Sequence, residues 1–115
     1  MINRDLINTI QTLKQASKSS RKAIWKALAE ELDKSKRRRV AVNLSRINRH
    51  STEGEIIAVP GKVLASGNLD HSVKIAAYSF SSLAKEKIRL AEGEYMSLLE
   101  LLDSSIEPKQ IKIIK

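Results

Sequence analysis

The stretch EIIAVPGKVLASGNLDHSVKIAAYSF, residues 55 to 80, decides the fold because it contains two short apolar runs separated by turn-forming residues. The runs Glu55–Val59 and Val73–Tyr78 are rich in Val, Ile and Ala and predict two buried strands. A Pro-Gly-Lys sequence at positions 60 to 62 predicts a type II turn, since Pro presets the first turn angle and Gly adopts the required positive φ. We therefore expect Lys62 to be carried on an exposed turn.

The residues before this stretch follow helical patterns. Apolar residues recur at i, i+4 and i+7 over Arg4–Ser17 and predict a first helix. A second helix is predicted over Arg21–Asp33, with Ser19 or Ser20 as its N-cap. Trp25 lies beside the apolar stripe of the second helix, which indicates a core anchor, although a Trp can also stack on an unpaired base.

Strand and helix patterns then alternate to the end of the chain. Apolar residues alternate from Val40 and predict a strand, followed by a helical turn through about Arg49. Ser81 or Ser82 is expected to cap a third helix. The inward face of this helix is predicted to consist of Leu83, Ala84, Ile88 and Ala91. Ser97 opens a fourth helix with a capping box, and the Ile-rich terminus predicts a last strand.

The chain has 115 residues, which suits one domain. Alternating strands and helices predict an α/β layer structure, with a basic helical part over residues 1–39 and an α/β core over residues 40–115. No apolar run approaches the roughly 20 residues of a membrane span. No cysteine is present to form a disulfide or a thiolate metal site.

Positive charge is concentrated in the first half of the chain. The formal net charge is +8; residues 1–50 hold 13 basic and 4 acidic side chains, whereas residues 51–115 hold 8 and 9. Such asymmetry indicates a polyanionic partner that is contacted mainly by the first half. The alternative is a basic surface that serves only solubility.

The run KSKRRR, from Lys34 to Arg39, is a dense cluster of cations. Arginine matches phosphate geometry bidentately, so the run indicates nucleic acid, with a solvated loop as the alternative. Arg46 and Arg49 are expected to share one face of the following helical turn. The predicted nucleic-acid-binding residues are Arg21, Lys22, Lys26, Lys34, Lys36, Arg37, Arg38, Arg39, Arg46, Arg49 and, on the expected turn, Lys62.

Motifs of catalysis are not found in the sequence. A P-loop is excluded because Ile56 and Val63 stand where that motif needs Gly and Ser or Thr. His50 and His71 have no neighbours at the spacing of a zinc site. Asp70 is adjacent to His71, and we expect the two side chains to point apart. The sequence therefore predicts a protein that is not an enzyme, with no catalytic residue, metal, cofactor or small-molecule substrate.

Three segments carry a resemblance to a known family: VNLSRINRHS at 42–51, VPGKVLASGNLDHSVKIAAYSFS at 59–81 and KSSRKAIWKALAEELDKSKRRR at 18–39. Together with the basic-aliphatic last strand, they resemble the archaeal and eukaryotic large-subunit ribosomal protein family "eighteen-e", which is related to the bacterial large-subunit protein "fifteen". The compact length is similar to that of archaeal members. Ala65 is a departure, since the family pattern has Gly there.

The resemblance implies a single α/β domain with N-terminal helices followed by an irregular strand-strand-helix superhelix. It also implies a non-catalytic protein of the cytoplasmic large ribosomal subunit, which binds ribosomal RNA beside neighbouring ribosomal proteins. The basic positions that match the family are Arg21, Lys22, Arg37, Arg38, Arg39, Arg46, Arg49 and Lys62. One alternative is a non-ribosomal RNA-binding or RNA-processing accessory module. A protein that docks on acidic membranes is a weaker alternative, because no broad apolar face accompanies the cations.

Overall fold

A computed structural model describes residues 4–20, 22–34 and 39–115. The elements in chain order are α1 (Arg4–Ser20), α2 (Ala23–Leu32), β1 (Val40–Asn43), α3 (Leu44–Arg49), β2 (Ile56–Leu64), β3 (Lys74–Phe80), α4 (Ser82–Leu90), β4 (Glu94–Ser97), α5 (Leu98–Asp103), a 3-10 turn (Pro108–Gln110) and β5 (Ile111–Ile113). This arrangement confirms the predicted α/β fold class. In the described part of the chain, no helix combines the length and the apolar character that crossing a membrane requires.

The five strands form one parallel sheet with β2 at its centre. β3 pairs along one side of β2, and β4 follows β3. On the other side of β2, β5 pairs with Ile56–Ala58 and β1 pairs with Gly61–Leu64, so these two strands occupy one edge in succession. Because every pair is parallel, the carboxyl ends of β1 to β4 lie at the same end of the sheet.

Helices cover both faces of the sheet, since successive strand residues point to opposite sides. Ile57 and Ile75 pack in a cluster with residues of α3 and α4. Ala58 and Ala76, the next residue on each strand, pack instead against α1, α2 and α5. Trp25 belongs to this second cluster and is only 4% exposed, which confirms that it is a core anchor.

The predicted turn at positions 60 to 62 is wrong. Pro60 and Gly61 are buried inside β2, where the strand contains a bulge, and Gly61 does not have a positive φ. Proline has no N–H to donate to the ladder of hydrogen bonds. It is tolerated at a bulge because the ladder is interrupted there. A Cβ on Gly61 would overlap the carbonyl oxygen of Val40 in β1. Glycine is therefore required here by the close approach of the neighbouring strand.

Helix boundaries and faces also differ from the predictions. Ser19 and Ser20 lie in the last turn of α1, and the N-cap of α2 is Lys22, which makes no side-chain capping bond. The Ser20 hydroxyl donates to the helix carbonyl four residues earlier, which lets α1 continue through both serines. On α4, Ala84 is buried as predicted, but Leu83 is 52% exposed because the inward face of the helix begins one residue later.

Candidate nucleic-acid interface

Four of the predicted phosphate-binding residues lie around β1. Arg39 directly precedes this strand, and Lys62 on β2 is the register partner of Ala41 on β1. Arg46 and Arg49 lie on α3, which begins immediately after β1. All four side chains are exposed. Arg39, Arg46, Arg49 and Lys62 thus lie next to β1, on the helix that follows it or on the strand paired with it, and we name these four residues the β1 basic surface.

Three cations of the β1 basic surface are free of carboxylates. Among the described residues, no Asp or Glu forms an ion pair with Arg46, Arg49 or Lys62. The fourth cation, Arg39, donates from Nε to the carbonyl oxygen of Lys34 at 3.4 Å. This contact places the end of α2 beside the start of β1. The surface therefore presents positive charge that no acidic side chain of the described part neutralises.

The cations of α2 have a different environment. Lys26 lies 3.8 Å from Glu30 and Lys34 lies 2.8 Å from Glu31, so both ammonium groups have a carboxylate neighbour. Hydrogen bonds from Lys115 and then from Lys34 hold the pKa of Glu31 below its ordinary value. A carboxylate beside an ammonium group repels an approaching phosphate. These two lysines are thus less available to an anion than the cations around β1.

The other predicted residues divide into two groups. Lys22 is exposed at the N-cap of α2 and has no ion pair within the described ranges. Arg21, Lys36, Arg37 and Arg38 lie outside the described residues. Their part in an interface stays a prediction.

The loop between β2 and β3 supports α3. Lys87 on α4 donates from Nζ to the carbonyl oxygens of Ala65 and Gly67, at 2.8 Å in each case. Asn48 on α3 accepts the backbone N–H of Asp70 at 3.0 Å. Ala65 does not have a positive φ, so an alanine is accommodated where the family pattern has glycine. These bonds hold the loop against the helix that carries two arginines of the β1 basic surface.

Asp70 and His71 do not point apart, as predicted, but interact. His71 Nδ1 lies 2.9 Å from Asp70 Oδ1, a hydrogen bond that lowers the pKa of Asp70, and His71 Nε2 lies 2.8 Å from Ser51 Oγ. The order of contacts is that of a hydrolase triad. The Ser51 hydroxyl, however, donates its single hydrogen to the carbonyl oxygen of Ile47 at 2.6 Å. The array therefore joins the end of α3 to the loop between β2 and β3.

A cleft at the carboxyl ends of β3 and β4 was missed by sequence reasoning. It has a volume of about 550 Å³, and Phe80, Lys85 and Tyr95 are among its lining residues. The rings of Phe80 and Tyr95 are 5.6 Å apart and inclined at 57°, and Lys85 Nζ lies 5.6 Å from the Tyr95 ring centroid. We name this feature the aromatic cleft. Its one sequence signal is that three of the four aromatic residues fall between positions 78 and 95.

Comparison with known proteins found a family match and curated relatives. The family described as "Ribosomal proteins 50S-L15, 50S-L18e, 60S-L27A" matches residues 24–96. The chain is 48% identical over 113 residues to "Large ribosomal subunit protein eL18" of Methanothermobacter thermautotrophicus, covering 98% of this chain and 93% of the relative. The protein of the same name from Methanosphaerula palustris is 42% identical over 113 residues, with the same coverage. That of Sulfolobus acidocaldarius is 45% identical over 100 residues, or 85% of each chain.

Proposed function

The chain belongs to the family of ribosomal proteins that comprises 50S-L15, 50S-L18e and 60S-L27A, and from this membership we propose that it is a constituent of the large ribosomal subunit that binds ribosomal RNA. The names of the archaeal relatives support the large subunit as its place in the cytoplasmic ribosome. Neighbouring ribosomal proteins are its further partners. Its role is structural, in translation, without a reaction, a cofactor or a small-molecule substrate.

The observation that carries the RNA partner is the set of unneutralised cations on the β1 basic surface. Arg46, Arg49 and Lys62 are exposed, and no carboxylate of the described residues pairs with them. Phosphates that contact such groups release condensed counterions, which supplies affinity without reading sequence. The partner is therefore RNA recognised largely through its backbone.

The arginines of α3 are held at fixed positions, and this makes the binding specific for a folded RNA. Leu44 and Ile47 of α3 are fully buried, so the helix that presents Arg46 and Arg49 is anchored in the core. A-form RNA hides base edges in a deep, narrow groove, and proteins recognise it mainly by shape and by backbone contacts. Cations at fixed positions match one arrangement of phosphates better than others, and this selects the binding site.

The first half of the chain extends the same contact. Lys22 is exposed beside Arg21, and the KSKRRR run connects α2 to the β1 basic surface through Lys34 and Arg39. Four consecutive cations from Lys36 to Arg39 repel one another unless an anion neutralises them. Phosphates of ribosomal RNA supply that neutralisation.

A salt-titrated filter-binding assay with large-subunit ribosomal RNA tests the proposal. The triple variant Arg37→Ala, Arg38→Ala, Arg39→Ala should bind more weakly and with a shallower dependence on salt, because each lost phosphate contact removes about 0.7 to 0.9 from the slope of log affinity against log salt. Circular dichroism should show the same fold as the parent protein. Unchanged affinity and slope would remove this run from the interface.

Sedimentation of native extract separates a ribosomal constituent from an accessory RNA-binding factor. The proposed constituent should remain with large subunits after a high-salt wash, because its contacts lie within the assembled particle. An accessory module should be released by the same wash. Complete release together with normal subunit sedimentation would favour the accessory role.

A further inference from the structure

The aromatic cleft is formed by an offset between two strands. The ladder between β3 and β4 ends at the pair Ala77 and Ser97, whereas β3 continues to Phe80. The last residues of β3 therefore extend past the end of β4 and leave a notch at the carboxyl ends of the strands. Ligands of parallel sheets commonly bind outside these carboxyl ends.

Most of the aromatic residues of the chain line this cleft, and one of them, Tyr95, is exposed. The chain has four aromatic side chains in all, and three of them, Tyr78, Phe80 and Tyr95, line the cleft. Trp25 is fully within the core, and Tyr78 and Phe80 are partly buried and pack against the two core clusters. Tyr95 is 41% exposed although its ring is large and apolar. The exposed Tyr95 ring lies beside the Phe80 ring and the Lys85 ammonium group, and such a grouping of rings and a cation can stack a flat partner.

The lining of the cleft contains one cation, Lys85, and one anion, Glu100. Arg89 lies one turn further along α4 than Lys85 and is exposed without an ion pair among the described residues. The one acidic lining residue, Glu100, accepts the backbone N–H of Ser97 at 3.0 Å within the capping box of α5. The carboxylate is thus already hydrogen-bonded to the protein, and the ammonium group of Lys85 is available to an anion.

One residue of the cleft, Ser79, adjoins Lys62 of the β1 basic surface. Ser79, which lines the cleft, is the register partner of Lys62 on the adjacent strand. Paired residues on neighbouring strands are about 5 Å apart. An RNA strand whose phosphates contact Lys62 therefore passes Ser79 at the rim of the cleft. The neighbouring cation favours RNA over a peptide added to the edge of β4.

We propose that the aromatic cleft binds one unpaired nucleotide of the ribosomal RNA, with its base stacked on the exposed Tyr95 ring and its phosphate near Lys85. The inference rests on the proposed RNA binding and adds to it a base-stacking subsite. Stacking on an aromatic ring tolerates any base, since every base has a π-face. The subsite holds the RNA by a contact that salt does not screen, unlike the phosphate contacts of the β1 basic surface.

Variants of Tyr95 test the stacking contact in the full-length protein. Tyr95→Phe keeps the ring, whereas Tyr95→Leu keeps apolar bulk without a π-face and Tyr95→Ala removes both. Each variant is titrated with large-subunit ribosomal RNA from the organism that encodes the chain, and accessible bases are mapped chemically. We expect Tyr95→Phe to bind as the parent does, and Tyr95→Ala and Tyr95→Leu to lose about ten- to a hundredfold in affinity with an unchanged salt slope.

The chemical map of accessible bases is the measurement that decides whether a base stacks on Tyr95. At least one unpaired base should be protected by the parent and by Tyr95→Phe but reactive with Tyr95→Leu. Parent-like affinity and protections for Tyr95→Leu, together with weaker binding when Arg46 and Arg49 are replaced, would overturn the subsite and leave the proposed function standing. Failure of the parent protein itself to bind the RNA would instead overturn the proposed function. Loss of a neighbouring protein from subunits containing Tyr95→Leu, with the RNA map unchanged, would assign the cleft to a protein partner and overturn the inference.

Discussion

The two helical layers of the molecule carry similar numbers of cations but use them differently. On the α1–α2 side, Lys14, Lys26 and Lys34 each have a carboxylate within 4.0 Å, as the pairs with Asp33, Glu30 and Glu31 show. Around β1 and α3, the described residues provide no carboxylate partner for Arg46, Arg49 or Lys62. Lys22 on the α1–α2 side also has no ion pair within the described ranges. Carboxylate pairing therefore distinguishes Lys14, Lys26 and Lys34 from the cations around β1 and does not distinguish whole layers.

A count of basic residues therefore overestimates the contribution to phosphate binding of those parts of the surface where carboxylates pair with the cations. The charge excess of residues 1–50 predicts a contact over the whole first half. The structure divides the described part of that half into a layer whose lysines are partly neutralised and a surface whose arginines are not. Phosphate contacts are expected to be strongest where no carboxylate competes, so the β1 basic surface should contribute more affinity for each residue.

The largest expected effect comes from the contact that positions β1, and hence α3, on the sheet. Replacing Gly61 with Ala places a Cβ only 2.7 Å from the carbonyl carbon of Val40 and into its oxygen. Because both atoms are backbone, β1 must move, and we expect the free energy of unfolding to fall by about 3 kcal/mol. Urea denaturation measures this change. RNA affinity of the folded fraction should fall as well, since the arginines of α3 move with β1.

Gly54→Ala is the matched control for this prediction. Gly54 has φ of 85°, but beyond its chain neighbours no heavy atom lies within 4 Å of the position that an alanine methyl group would occupy, so only backbone strain opposes the change. We expect a loss of about 1 to 2 kcal/mol and no effect on the position of β1. If both variants lost equal stability, close approach of β1 would not be the reason for Gly61.

The second prediction compares the two sets of cations directly. The double variant Arg46→Ala, Arg49→Ala should lose roughly a hundredfold in affinity for large-subunit RNA at about 0.1 M salt, because each released phosphate contact is worth about tenfold there. The double variant Lys26→Ala, Lys34→Ala should lose less than about threefold. Filter binding across a salt series measures both, and the salt slope should become shallower mainly for the arginine variant. Equal losses would show that carboxylate pairing does not govern phosphate binding in this protein.

Local signals in the sequence were sufficient for most of the secondary structure. The alternation from Val40 and the apolar runs of the central stretch correspond to β1, β2 and β3. The capping box at Ser97 is present with both of its hydrogen bonds, and Ser81 caps α4. These features depend on neighbours within a few residues, which is why spacing alone predicts them.

Features that depend on distant parts of the chain were not predicted. Gly61 suggested a turn because its sequence neighbours are Pro and Lys, but its conformation is set by Val40 on another strand. The strand β4 and the exposure of Tyr95 depend on pairing with β3 and on where that pairing ends. Charge in the sequence therefore singled out Arg39, Arg46 and Arg49, Lys62 was chosen from a turn that is not formed, and the aromatic cleft required the register of the sheet.

The third prediction concerns one helix cap from each layer. Ser97 Oγ accepts the N–H of Glu100 and Glu100 accepts the N–H of Ser97, so two N–H groups at the start of α5 are satisfied reciprocally. Ser81 Oγ accepts only the N–H of Ala84 at the start of α4. We expect Ser97→Ala to lower the free energy of unfolding by about 1.5 kcal/mol and Ser81→Ala by about 1 kcal/mol. Thermal and urea unfolding of both variants measure the difference, and a larger effect at Ser81 would contradict it.

The smallest expected effect is a pH dependence that belongs to the paired layer. The Glu31 side chain is only 13% exposed and accepts hydrogen bonds from Lys115 at 2.8 Å and from Lys34 at 2.9 Å, which lower its pKa below the ordinary value of 4.5. The unfolded chain therefore binds a proton more readily than the folded one. The stabilisation from Glu31 is fully present above about pH 4.5 and is lost as the pH falls through the lower, folded pKa.

Replacing Glu31 with Gln should accordingly lower the free energy of unfolding near neutral pH by less than about 1 kcal/mol, because pairs of this kind near the surface contribute little. Near about pH 3 the variant and the parent should approach each other, since the parent carboxylate is then increasingly protonated. Arg46→Gln is the control, since this arginine has no carboxylate partner among the described residues, and it should shift stability equally at both pH values. A Glu31 variant whose deficit did not shrink in acid would show that packing of this side chain, and not its charge, holds Lys34 and Lys115 in place.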